Sequence, residues 1–164
     1  MKSDLRKELI EELKKRNLLE QEEDEDQDTE DTSEETETEE DSTNEGFCDM
    51  ICHLLHSQTQ VHIFHLGTKS YAEHKALQKY YEGVDTITDG LVESYQGKYG
   101  LMKNYKTFKM MSYKNKKQVM SYFTHVLNII EENRESVEDS YIQNQIDTVQ
   151  ELIYSTMYKL KFLN

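Results

Sequence analysis

Proline is absent from this 164-residue chain and glycine occurs only six times, which removes the usual punctuation of β-rich and loop-rich folds. An all-helical protein is therefore expected. No apolar run approaches the roughly 18 to 20 residues needed to span a bilayer, and the charged N-terminal stretch is not followed by an apolar signal segment. A cytoplasmic protein with no membrane partner is expected. The only two cysteines, Cys48 and Cys52, lie four residues apart. A secreted disulfide scaffold needs more cysteines, more widely spread, so these read as two thiols on one helix face. A Ser/His/Asp triad, a phosphate-binding glycine loop and an internal repeat are also missing.

Charge of one sign is absent from two long stretches, and what fills them divides the chain. Residues 20–45 contain 16 Asp or Glu and no Lys or Arg, so a formal charge of −14 for the whole chain leaves +2 for the other 138 residues. This run has no aliphatic or aromatic residue apart from its flanks and repels itself, so it cannot bury enough apolar area to offset the entropy of ordering. It reads as a disordered acidic linker, residues 20–46, between an amphipathic N-terminal helix in residues 1–19 and a bundle in residues 47–164. Conversely, from Ser94 through Ile130 there is no acid and there are seven lysines, with Tyr95, Tyr99, Tyr105, Phe108 and Tyr113 interleaved. Lys98, Lys103, Lys106, Lys109, Lys114, Lys116 and Lys117 thus form a candidate, weak nucleic-acid patch, with cations for phosphates and rings for stacking.

Helical periodicity supplies the rest of the architecture. Leu5, Leu9, Ile10 and Leu13 make a narrow stripe on the N-terminal helix, a candidate handle for a protein partner. A first bundle helix is expected over about 47–66, with Phe47, Ile51, Leu54, Leu55, Gln58, Val61, His62 and His65 on one side. Ser70 and Glu73 form a capping box that opens a second helix, to about Tyr95. A third, about 113–133, uses Val119, Tyr122, Phe123, Val126, Leu127 and Ile130. The fourth, starting after Ser136 with Asp139 completing another box, uses Tyr141, Ile142, Ile146, Val149, Leu152, Ile153, Met157 and Leu160. Short connections and one longer, lysine-rich one give an antiparallel four-helix bundle.

The sharpest chemical signal lies between His62 and Glu93. At 100° per residue the second helix has a core stripe of Leu77, Tyr80, Val84, Ile87 and Leu91, whereas His74, Gln78, Asp85, Asp89 and Glu93 fall on another, polar side. Asp89 and Glu93 are i,i+4 neighbours able to converge on one ion, and oxygen with imidazole ligands suits Fe(II), Mn(II) or Zn(II). The histidines His62 and His65 come from the preceding helix and need a shared surface, within one bundle or across subunits, to reach them. A plainer reading stands beside this one: a solvated acidic face, with His62 and His65 hydrogen-bonded on an apolar stripe.

The segment His62 to Glu93 resembles the mini-ferritins, the DNA-binding proteins from starved cells, in its two histidines twelve residues apart and its later Asp-x-x-x-Glu pair. Tyr80 and Tyr81 stand where that family carries aromatics. The resemblance implies a ferritin-like bundle that assembles into homo-oligomers and binds iron between subunits, with His62, His74, Asp89 and Glu93 as ligands and His65, Gln78 and Asp85 as auxiliaries. Gln78 occupies the family's aspartate position, and a neutral amide is a poor ligand for a hard cation. The implied ferroxidase activity is accordingly weak or lost. The chain also resembles short helical proteins of large bacterial viruses, which implies the alternative of a non-enzymatic structural or interaction protein, of the virion or accessory to it.

Overall fold

The computed structural model describes residues 40–163, with side chains from Glu45 onward. The N-terminal helix and most of the acidic linker expected from sequence lie outside the described residues. Four helices follow: α1, Glu40–Gly67; α2, Tyr71–Tyr99; α3, Lys116–Asn133; and α4, Ser140–Phe162, the last preceded by a 3₁₀ turn, Arg134–Ser136. All four pack into one bundle in which α1 touches α2 and α3, and α4 touches the same two helices. The all-α four-helix expectation is met.

Directions follow from which ends meet. Gly46 near the start of α1 faces Asn133 at the end of α3, and Lys98 and Tyr99 at the end of α2 bond Asp139 just before α4. Hence α1 and α4 run one way and α2 and α3 the other. Joining α2 to α3, which are parallel, requires a connection that travels the full length of the bundle. Residues 100–115 do this as an irregular strap along α1.

The core is built by the stripes that periodicity indicates. Leu77, Tyr80, Val84 and Leu91 of α2 are buried with Val119, Phe123, Val126 and Ile130 of α3 and Ile142, Ile146, Val149 and Ile153 of α4. The Tyr80 and Phe123 rings meet edge to face at 4.8 Å, a favourable quadrupolar arrangement. The buried Tyr80 hydroxyl shares a 2.8 Å hydrogen bond with Ser57 of α1, so the phenol costs little to bury.

Several boundaries differ from the sequence reading. α1 starts at Glu40 rather than near Phe47, since acids near a helix N-terminus are favoured by the helix dipole. The box at Ser70 forms on one side only: the Glu73 amide donates to Ser70 Oγ at 3.3 Å, while the Glu73 carboxylate accepts from Thr68 and from Tyr113 of the strap. No box forms at Ser136; Asp139 is the N-cap of α4 without a side-chain cap bond, because its carboxylate is taken by Lys98 and Tyr99. Leu55 and Tyr141 are exposed rather than buried.

Candidate functional site

At the α1–α2 turn three histidines gather. His65 is buried and stacks on His74 with ring centroids 3.7 Å apart, and His62, exposed, stacks on Tyr81 at 4.2 Å. His65 Nδ1 lies 2.9 Å from the His74 carbonyl and His74 Nδ1 lies 3.2 Å from the His65 carbonyl. A carbonyl can only accept, so both rings carry their proton on Nδ1 when neutral and keep a lone pair on Nε2. Gln78, one turn on from His74, accepts from Lys75 at 2.6 Å and donates to Glu82 at 2.7 Å.

The carboxylates expected to complete a metal site are elsewhere. Asp85, Asp89 and Glu93 are exposed on α2, and fifteen residues of helix put Asp89 about 22 Å from His74 along the axis. One chain cannot bring His74 and Asp89 to one ion. Among the described residues no group of three or more His, Cys, Asp or Glu is placed to hold a metal.

The strap is the second feature, and side chains of α1 fix its backbone. Cys48 donates its S–H to the Lys103 carbonyl at 3.3 Å, and the Lys106 amide donates to Cys52 Sγ at 3.2 Å. Farther along, Phe108 lies on the His53 ring at 4.1 Å. The fully buried Gln60 both donates to and accepts from the Met111 backbone, each at 2.7 Å, as a β-ladder partner would. Gly100 at φ 86° and Asn104 at φ 64° turn the chain into the strap, and glycine and asparagine are the residues that tolerate this region best. Gly67 lets the far end settle, since a Cβ there would collide with Tyr113.

The lysines of this region divide into two sets. Lys98 pairs with Asp139, and Lys106 pairs with Asp49 at 3.4 Å and Glu45 at 3.7 Å; in each case the carboxylate raises the ammonium's pKa. Lys103, Lys109, Lys114 and Lys117 are exposed and make no ion pair among the described residues, and Lys116 is half-buried. Exposed Leu101, Tyr105, Met110 and Met111 lie between them. Beneath the start of the strap is a cavity of about 360 Å³ lined by Cys48, Cys52, Asp49, Glu45, Leu101 and Lys106. Burial, with Cys52 beside it, pushes the Cys48 thiol up to about 11, so it serves as a hydrogen-bond donor rather than a nucleophile.

Sequence reasoning did not find Gln60, His53 or the buried Glu73 as strap anchors. The available signal was a polar residue on an apolar stripe: Ser57 and Gln60 fall between Leu54 and Val61, where an unpaired polar group is costly.

Together these features define an all-helical bundle with a basic strap across one groove. Residues 65–160 match DUF5856, a family of unknown function, and the chain belongs to that family. The match includes the lysines of the strap and the α2 carboxylates, whereas Cys48, Cys52, His53, His56 and Gln60 precede it. No curated protein and no solved structure matches the chain, so the resemblance to mini-ferritins finds no relative there.

Proposed function

We propose that this protein is a non-enzymatic binding module whose strap receives an anionic partner. The observation that carries the reading is the strap itself: an irregular segment without an acid, held by bonds to its backbone, with Lys103, Lys109 and Lys114 exposed and unpaired among the described residues. Long irregular connections in compact domains are commonly functional. Here the anchoring uses main-chain atoms and leaves the cationic side chains to solvent. One-signed charge on such a surface attracts and steers an oppositely charged partner.

The test is binding of the full chain to a labelled single-stranded oligonucleotide and, separately, to polyglutamate, with Lys103, Lys109 and Lys114 changed to Gln. Loss of binding in the variant supports the reading, and the polyanion that binds identifies the partner class. For nucleic acid the salt dependence should flatten by roughly 0.7 in log–log slope per phosphate-contacting lysine removed. Equal binding by variant and wild type would sink it.

A second reading keeps the ferritin-like expectation in the form the geometry allows. Two antiparallel pairs joined by one long connection is the connectivity of ferritin-like bundles, and His62, His65 and His74 gather at one end of α2 with Asp89 and Glu93 toward the other. A site using both sets needs two chains, related by a twofold axis near Tyr81 and Glu82, so that each chain's histidines meet the other's carboxylates. This version requires a dimer in solution that takes up Fe(II) and loses that uptake on Asp89→Ala with Glu93→Ala. A monomer, or a dimer indifferent to ferrous iron, would remove it.

A further inference from the structure

Midway along the strap, Phe108 closes over two imidazoles of α1. It lies flat on His53 with centroids 4.1 Å apart and meets the edge of His56 at 5.5 Å. From α3, His125 approaches His53 edge-on at 5.5 Å, and the Tyr122 hydroxyl lies 3.0 Å from His56 Nδ1. His56 Nε2 is buried without a hydrogen-bond partner of good geometry. Two titratable rings therefore sit between the strap and the bundle.

We propose that His53 and His56 form a pH-operated latch: neutral imidazoles seat Phe108 and hold the strap against α1, and their protonation releases it. The latch would regulate the binding face argued above and rests on that reading for its use, but strap release is an event of the chain alone.

The groups around the rings decide the sign. Burial is the main influence lowering the His53 pKa; His125, His56 and Lys106 add to it, and Asp49, 3.7 Å from Nε2, opposes it. A charged His53 would also gain cation–π attraction to Phe108. Burial likewise lowers His56, with only the Lys109 main chain opposing. Protonated, His56 carries an N–H on both ring nitrogens, and the buried Nε2 has no acceptor of good geometry for its own. Both groups titrate below the ordinary histidine value of about 6.5 when the strap is closed. The closed state is thus fully stable above about pH 6.5. Below that the open state takes up protons first, and the closed state weakens until the lowered values are passed.

Amide hydrogen exchange of the full chain, without any partner, reads this directly. Peptides spanning 103–113 contain the Lys106 and Met111 amides, which donate to Cys52 and Gln60. Between about pH 7.5 and about pH 5, bracketing histidine titration, their protection factors should fall while core peptides of α2 and α4 keep theirs. His53→Gln with His56→Gln should remove the pH dependence. Unchanged strap protection in wild type, equal loss across the core, or a pH response that survives in the variant would each overturn the latch. Should the variant not fold, NMR titration of the wild-type imidazoles decides, since values at or above the ordinary one contradict it. None of these results bears on whether the strap binds an anion.

Discussion

The His65 and His74 rings lie 3.7 Å apart, face to face, and each donates Nδ1–H to the other's backbone carbonyl. The arrangement ties the last turn of α1 to the first turn of α2 across the break at Gly67 to Ser70. His74→Ala removes the stack and one of the two bonds, leaving a half-buried carbonyl unpaired, and should cost about 1–3 kcal/mol. Asp89→Ala, on the exposed side of the same helix, should change stability by less than about 0.5 kcal/mol. Thermal unfolding separates the two, and equal effects would deny the histidine pair a structural role.

Gln60 makes a related prediction for the strap. Its buried amide satisfies both polar atoms of Met111, so Gln60→Ala strands a donor and an acceptor at a cost of about 1–3 kcal/mol. Opening should be local. Limited trypsin digestion should cut after Lys109 and Lys114 sooner in the variant while α4 stays intact. Digestion at wild-type speed would show that the other anchors suffice.

Two glycines at helix ends should respond oppositely to alanine. At Gly67 the new Cβ meets the Tyr113 side chain, whereas at Gly97 nothing lies within 4 Å. Gly67→Ala should therefore destabilise by roughly 1–3 kcal/mol through overpacking, and Gly97→Ala should stabilise by about 0.5–1 kcal/mol through helix propensity. Denaturant midpoints give the sign of each. A stabilising Gly67→Ala would mean that Tyr113 does not hold the strap's end there.

Long-range charge makes a prediction that needs no contact. Changing the 15 acids between residues 20 and 41 to their amides moves the formal charge from −14 to +1, while Glu45, which pairs with Lys106, is kept. Association of the full chain with a single-stranded oligonucleotide should quicken, most at low ionic strength, where screening is weakest. An unchanged on-rate at low salt would show that the acidic run does not govern access to the lysines.

What the amino-acid sequence determined by itself is the helical content and the buried stripes of α2, α3 and α4, because these depend on residues three and four apart, where 3.6-residue periodicity speaks directly. Leu77, Tyr80, Val119 and Ile142 are legible in this way and are buried. Where two demands compete for one side chain, local reading fails. Asp139 looks like a cap, but Lys98 and Tyr99, some forty residues earlier, take its carboxylate. Only the tertiary structure decided the path of residues 100–115; the distance between His74 and Asp89 was already fixed by the rise of the one helix that carries both. The strap has no periodicity of its own and is placed by Cys48, His53 and Gln60, partners about fifty residues away in sequence. The polar side of α2 is one stripe in projection, but projection discards the axial rise that keeps its two ends apart.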